Sequence, residues 1–268
     1  MFYNEPKVEK KQILLENIQD FYSEILEYYD ELFPLNENAL NFIEVINKEI
    51  CKNFSTQPAP LSRYLGIGCA TGTFENKLDS IHLDITGIDK NPLMIETAMR
   101  RMKRSGTTSR FFEMSTIDIG RFLQKDSFHI IACIDNTLPY ISDPTLMKKF
   151  FHDTKKLLAP GGRLIIQTHN FDSFDYSRPI TLPEKSSIRV RLMRSYSPGE
   201  NNQTFMKAEL ELGNGNTIGL SHPIVIQPTP IAYLIELGKD AGFSTPQLYG
   251  DFKRSQWTIK SPMTIAVF

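Results

Sequence analysis

Three glycines and one acid carry the first chemical signal of this chain. Gly66, Gly68 and Gly72 lie in the run Leu65-Gly66-Ile67-Gly68-Cys69-Ala70-Thr71-Gly72. An apolar stretch over 61–65 precedes them, and a helix-forming stretch over 74–78 follows. A strand that stops in a glycine loop and resumes as a helix is the pattern of a nucleotide-cofactor site. Its glycines let the backbone approach a ligand where a Cβ would collide. The spacing is G-x-G-x-x-x-G, and Thr71 stands where the dinucleotide fingerprint needs Gly or Ala. That argues against a nicotinamide dehydrogenase. Downstream, Asp84-Ile85-Thr86-Gly87-Ile88-Asp89 reads as a second strand ending in an acid. A carboxylate there suits the two hydroxyls of a ribose, each a donor.

These residues resemble the motifs of the class I S-adenosylmethionine-dependent methyltransferases. LGIGCATG matches the first motif and GIDKNPLMIETA the second, with a helix opening at Asn91-Pro92-Leu93-Met94. The resemblance covers most of 62–170 and returns over 231–268. It implies S-adenosyl-L-methionine as the cofactor and S-adenosyl-L-homocysteine as the product. It also implies cofactor contacts for Gly66, Gly68, Cys69, Ala70 and Gly72 in the loop. Asp89, Lys90, Asn91 and Met94 follow at the second strand, Met94 by apolar contact with the adenine face. Ser115, Thr116 and Ile117 are implied after the third strand, and Asp135 near the sulfonium. Members often carry an acid against the adenine edge. Here Glu113 falls early and Asp118 late, and Asp118 reads equally as a helix N-cap.

The resemblance narrows over Cys133-Ile134-Asp135-Asn136-Thr137-Leu138-Pro139-Tyr140 and Gln167-Thr168-His169-Asn170-Phe171-Asp172. Both look like segments of the glycine and sarcosine N-methyltransferases. The arginine that holds an amino-acid carboxylate in that branch falls on His169. A neutral imidazole holds a carboxylate poorly beside a bidentate guanidinium. The resemblance therefore carries the branch's architecture rather than its glycine-type substrate.

The acceptor-side candidates follow from position. Ligands of open α/β sheets bind at the carboxyl ends of the strands. Asp135 and Asn136 follow the fourth strand, though both also suit a turn. His169 ends the fifth, as a base, a substrate partner, or a strand-end histidine satisfied by the backbone. His169, Asp135 and Asn136 are the catalytic candidates. Tyr140, His169, Asn170 and Tyr176 are the substrate-binding candidates, and Tyr176 and His222 also read as structural. A sulfonium donor is already a good leaving group. The protein must place a nucleophile in line with the methyl, at roughly 3–3.5 Å, and exclude water. A general base is optional.

The elements that must position these groups read as follows. Apolar residues at helical spacing predict one helix over 8–33, ended by Pro34, and a second over 38–54. Strands are expected over 62–66, 84–89, 110–114, 127–134 and 163–168. Helices from Pro92 to 103 and over 144–158 lie between them, with a turn at Ala159-Pro160-Gly161-Gly162. This β-α alternation predicts a parallel sheet covered by helices on both faces. After 174 the pattern becomes period two, over 187–196, 204–212 and 217–227, with a tight-turn signal at Asn214-Gly215. A helix returns over 231–241. The last segments, 243–249 and 263–268, look like the hairpin that adds one antiparallel strand in the family.

The expected fold is thus a Rossmann-like, doubly wound α/β fold with a mostly parallel seven-stranded sheet and one antiparallel strand. N-terminal helices and an antiparallel β insert accompany it. The expected domains are 1–55 as an N-terminal cap, 56–180 with 228–268 as the cofactor domain, and 181–227 as the insert and substrate cap. Tyr22, Tyr28 and Tyr29 read as core or as part of a lid. Arg189, Arg191 and Arg194 read as a solvated face or an anion-attracting one. The cluster Arg100, Arg101, Lys103 and Arg104 reads as cations favoured at a helix C-terminus, with RNA as the alternative.

Composition sets the remaining bounds. The chain has 268 residues, 41% hydrophobic, which suffices for a proper core. A net charge of −1 argues against a protein that coats nucleic acid or an anionic membrane. Three cysteines without paired spacing read as reduced thiols in a cytoplasmic protein. The five histidines show no metal-ligand spacing, so no metal is expected. The expected partner is a small-molecule acceptor, taken by a monomer or homodimer. A methyltransferase acting on tRNA or protein, and a cofactor-binding module without catalysis, stand as alternatives.

Overall fold

The computed structural model describes residues 11–52, 61–79, 83–200 and 203–268. Its contacts divide the chain into two units, Leu35–Asp175 with Val225–Phe268, and residues up to Pro34 with Tyr176–Ile224.

The larger unit opens with helix α1, Glu37–Cys51. Asn36 caps it, its Oδ1 accepting the N–H groups of Asn38 and Ala39, so two orphan donors of the first turn are satisfied. The chain then alternates: β1 Ser62–Ile67, α2 Thr73–Leu78, β2 Leu83–Asp89, α3 Pro92–Ser105, β3 Arg110–Glu113 and α4 Ile119–Phe122. It continues with β4 Phe128–Cys133, α5 Pro144–Leu157, β5 Leu158–His169, α6 Ile231–Asp240, β6 Gln247–Tyr249 and β7 Met263–Val267.

The sheet order is β6-β7-β5-β4-β1-β2-β3. The pairs from β3 across to β5 are parallel, and β7 runs antiparallel to both β5 and β6. Strands β1 and β4 are buried along nearly their whole length, as a parallel sheet covered on both faces requires. Alternate side chains feed two cores. Leu65, Ile67, Ile131, Cys133 and Ile166 pack with Met147, Phe150 and Phe151 of α5 and Leu234 of α6. Tyr64, Ile85, Ile130, Ala132 and Ile165 pack on the other face with Phe42, Ile43 and Ile46 of α1. This is the doubly wound, largely parallel arrangement that the alternation predicts, with its one antiparallel strand in place. The chain winds outward from β1 in one direction and from β4 in the other. The strand order therefore reverses between their carboxyl ends, which is where such sheets form a ligand crevice.

Two local expectations are corrected here. The turn expected at 159–162 lies inside β5. The register between β4 and β5 shifts from Phe128↔Leu158 to Ile130↔Arg163, so the extra residues form a bulge, with Gly161 at φ 76°. The strand expected over 217–227 is broken after Leu220 and resumes at Ile224, and Pro223, which has no N–H to donate, lies in the break.

The second unit is built on an antiparallel meander. Val190–Pro198 pairs with Thr204–Leu212, and that strand pairs with Thr217–Leu220. The long helix expected over 8–33 is replaced, within the described residues, by a strand and three short helical pieces. Gln12–Leu15 is a strand that pairs parallel with Thr217–Leu220. Asn17 then caps a helix over Ile18–Glu24, a 3-10 turn follows at Leu26–Tyr28, and Tyr29–Leu32 is helical. Sheet pairing takes the first residues, and the cap at Asn17 resets the start of the helix.

Within this unit Tyr22 and Tyr29 meet edge to face at 6.1 Å, and Tyr29 stacks on Phe33 at 4.7 Å. Arg189 pairs with Glu27 at 2.7 Å and with Glu31, and lies over the Tyr28 ring. Arg191 pairs with Glu211 at 2.6 Å. These two cations are used inside the unit.

Candidate active site

The glycine loop is fixed to the end of β2 by backbone hydrogen bonds. Gly68 and Cys69 N–H both donate to Ile88 O, at 2.8 and 3.0 Å. The loop turns through three left-handed positions, Gly68 at φ 74°, Ala70 at 46° and Gly72 at 67°. Gly72 is required by packing as well: a Cβ there would lie 2.7 Å from Ala98 Cβ and 2.9 Å from the Phe111 ring. Arg101, on α3, donates to Thr71 O at 2.7 Å and to Thr71 Oγ1 at 3.0 Å. It therefore clamps the loop from the next helix, a role its place in a basic run does not announce.

Asp89 closes β2 with both carboxylate oxygens engaged. Oδ2 accepts from Ala70 N–H at 3.0 Å, and Oδ1 accepts from Asn91 N–H at 2.8 Å. Burial pushes its pKa above the usual carboxylate range, against the lowering effect of the Asn91, Ala70 and Lys90 backbone N–H groups and of the Lys90 charge. A carboxylate has about four lone-pair sites, more than the backbone N–H groups of Asn91, Ala70 and Lys90 occupy. Asn91 caps α3, its Oδ1 accepting from Leu93 and Met94 N–H at 3.0 and 3.3 Å. Met94 is buried and Lys90 exposed. Ser115, Thr116 and Ile117 form the turn after β3, where Asp118 N–H donates to Ser115 O. Asp118 precedes α4 as its N-cap residue, without a side-chain capping bond.

The loop after β4 is the second strained segment. Asp135 and Asn136 lie in succession in the left-handed region, at φ 54° and 59°. Such positions cost of order 1–3 kcal/mol each and persist where surrounding bonds impose them. Here β5 imposes them. Gln167 Oε1 accepts from Asp135 N–H at 2.7 Å, and Gln167 O accepts from Asn136 N–H. Asn136 Oδ1 accepts the backbone N–H of His169 at 2.9 Å. Thr137, in the same loop, abuts the glycine loop: a Cβ on Gly68 would lie 2.6 Å from its Cγ2. The two loops at the strand-order reversal are thus in direct contact.

The structure brings Asp135, Asn136 and His169 together at the ends of β4 and β5. Tyr140 follows in the 3-10 turn Leu138–Tyr140, partly buried. His169 lies near the rings of Phe171 and Phe174, at centroid distances of 6.2 and 6.4 Å. Asn170 is buried, and its Nδ2 donates to the carbonyls of Thr258, Ile259 and Ser261, the last two at 3.0 Å. It ties β5 to the segment before β7. Tyr176 belongs to the other unit. Two side chains went unnoticed in the sequence. Gln167 looks like an ordinary strand residue, and Glu75 like an ordinary helix-surface acid.

Comparison with known proteins places this arrangement in a class. Residues 65–162 match the family described as "Methyltransferase domain". The fold over the larger unit is that of the S-adenosylmethionine-dependent methyltransferases, and S-adenosylmethionine is the cofactor of that domain class. A crystal structure of an S-adenosylmethionine-dependent methyltransferase from Clostridium acetobutylicum has a TM-score of 0.74 at 15% identity, covering 92% of this chain and 97% of that one. The sugar N-methyltransferase KedS8 from Streptoalloteichus sp. has a TM-score of 0.62 at 14% identity, covering 100% of this chain and 98% of that one. A malonyl-[acyl-carrier protein] O-methyltransferase of Paenibacillus sp. is 30% identical over 133 residues, 47% of this chain and 46% of that protein. The chain spans about half the length of the curated relatives it matches. Among the described residues, no helix is long and apolar enough to cross a membrane.

Proposed function

We propose that the chain transfers a methyl group from S-adenosylmethionine to a nitrogen or oxygen of a small-molecule acceptor. The observation that carries this reading is the Asp89 carboxylate. Ala70 and Asn91 N–H hold it at the mouth of the glycine loop, with acceptor capacity left for a ribose hydroxyl. Gly66, Gly68, Cys69, Ala70 and Gly72 would hold the methionine end of the cofactor. Lys90, Asn91, Met94 and the turn Ser115, Thr116 and Ile117 would border the adenosine.

The bound cofactor supplies an electrophilic methyl on a sulfonium. The chain's part is placement. Asp135 and Asn136, held by Gln167, line the strand ends where a nucleophile must sit in line, and His169 stands across from them on β5. Tyr140 and His169 are the acceptor contacts on this reading, with His169 able to take a proton if the acceptor needs it. An acid, an amide and an imidazole at the strand ends (Asp135, Asn136 and His169), rather than an arginine, favour an amine or hydroxyl over an amino-acid carboxylate. Two structural neighbours are themselves described as sugar or amino-pentose methyltransferases, which supports an acceptor of that size. On this reading the insert at 181–227 selects the acceptor, while α1, included in the expected 1–55 cap, belongs to the core of the larger unit. Three free thiols, Cys51, Cys69 and Cys133, support a cytoplasmic setting.

Calorimetric titration with S-adenosylmethionine, S-adenosylhomocysteine and NAD tests the cofactor. Binding of the two sulfur compounds and not NAD is expected; NAD alone would overturn the reading. Incubation with a panel of small amines and hydroxyls then tests the acceptor by the S-adenosylhomocysteine formed. Turnover only on tRNA or protein would overturn the small-molecule assignment.

A further inference from the structure

Glu75 is the one acid of α2's first turn, yet it does not face water. It is 3% exposed, and its Oε2 is buried without a hydrogen-bond partner. Burying a carboxyl with one oxygen unpaired is costly, so the position needs a reason. Its location supplies one. The carboxyl lies against Gly66, the first glycine of the loop, and a Cβ on Gly66 would collide with Glu75 Oε1. The missing side chain at 66 thus makes the room that the Glu75 carboxyl fills.

The charges around it point one way. Its own backbone N–H donates to the carboxyl, and the charged groups that act on Glu75 are Asp135 after β4 and Asp89 at the end of β2, both carboxylates. Tyr64 on β1 and Cys69 in the loop are buried beside these acids, and their pKa values are raised by burial first and by Glu75 next. The Tyr64 hydroxyl is also buried without a partner. Three acids converge on the crevice from three elements, and one of them keeps an oxygen unpaired. That cluster is built for a cation.

We propose that Glu75 anchors the α-ammonium group of the cofactor, its Oε2 accepting one of the ammonium hydrogens. The assignment rests on the cofactor reading above. It adds a residue outside both glycine motifs, and it gives the amino-acid end of the ligand a specific partner.

The free protein holds Glu75 up to about 8, chiefly through burial. At neutral pH the carboxyl is therefore mostly protonated, and an arriving ammonium ion displaces that proton to the buffer. Calorimetry in two buffers of different ionisation enthalpy reads this directly. Two ligands separate the possibilities: S-adenosylhomocysteine, which carries the ammonium, and 5′-methylthioadenosine, which lacks the whole amino-acid end. For the unaltered protein at pH about 7, S-adenosylhomocysteine should release close to one proton and 5′-methylthioadenosine none. Glu75→Gln should weaken S-adenosylhomocysteine by at least about tenfold, abolish the proton release, and leave 5′-methylthioadenosine unchanged. Equal weakening of both ligands would make Glu75 a folding residue and overturn the proposal. Undiminished S-adenosylhomocysteine binding would overturn it as well. If the unaltered protein bound neither ligand, the cofactor reading itself would fall and the anchor with it. Proton release needs no variant, so the proposal stays testable even if Glu75→Gln folds poorly.

Discussion

Asn136 Oδ1 and the backbone N–H of His169 are joined at 2.9 Å, across the gap between the loop after β4 and the end of β5. The bond does two things at once. It holds Asn136 in a left-handed conformation, and it fixes the strand end that carries the imidazole. Asn is one of the few residues that adopts this backbone at low cost, so both the side chain and the backbone preference favour it.

The first prediction follows from that pair. Asn136→Ala removes the acceptor and leaves a partly buried N–H unpaired, at a cost of about 1–3 kcal/mol. The His169 amide should then exchange with solvent on the order of tenfold faster in hydrogen-exchange mass spectrometry. Asn136→Gly relieves the backbone but also lacks the acceptor, so it should exchange as fast as Asn136→Ala. Slow exchange in Asn136→Gly would mean that the backbone, not the bond, fixes the strand end.

Asp89 serves both the loop and the ligand. Asp89→Ala should weaken S-adenosylmethionine binding by roughly 10- to 100-fold, the range for hydrogen bonds to a charged group. Titration calorimetry measures it. Binding within about twofold of the unaltered protein would remove Asp89 from the ribose role.

Stability should fall as the solution becomes alkaline. Glu75 has a folded-state pKa raised from 4.5 to about 8, so the folded chain holds this proton more tightly than the unfolded one. Its contribution is complete below the unfolded value and is lost as pH rises through about 8. Asp89, also raised, acts in the same direction. The Tm of the ligand-free protein should therefore decline across this window, and Glu75→Gln should flatten the decline. An equally steep decline in the variant would assign the slope to other groups.

Gly72→Ala should destabilise the fold rather than merely weaken binding. Its φ of 67° costs an L-residue about 1–2 kcal/mol, and the Cβ would press on Ala98 and Phe111. Overpacking adds about 1–3 kcal/mol, so urea unfolding should show a loss of about 2–5 kcal/mol. Gly106→Ala tests the balance: its φ is similar, at 69°, but nothing lies within 4 Å of the added Cβ. It should show the backbone part alone.

The sequence made the cofactor half legible because glycines and strand-end acids act locally. Gly66, Gly68, Gly72 and Asp89 announce themselves within one β-α-β stretch, and the structure bonds Asp89 to the loop as that pattern requires. The second unit was less legible. The helical spacing over 8–33 gave no sign that residues 12–15 would pair with 217–220, some two hundred residues away, because strand partners leave no mark at the strand itself. Gln167 and Glu75 were missed for a related reason. Each acts through a contact with a residue distant in sequence or hidden under it, and neither sits in a recognisable spacing.

The order of strands in space has a consequence for the chain as it is made. Strands β1 to β4, with both crevice loops, are complete once Asn136 and Thr137 have emerged from the ribosome, so the cofactor half can begin to assemble early. Strand β5 must wait, because its outer neighbour is β7, Met263–Val267, and the Tyr176–Ile224 part of the second unit, α6 and β6 are synthesised between them. Throughout that interval β5 presents an unpaired, apolar edge, the kind of surface that invites pairing with another chain. Strand β7, translated after all the others of this sheet, is therefore the one that protects the nascent sheet from aggregation, and with it the end that carries His169.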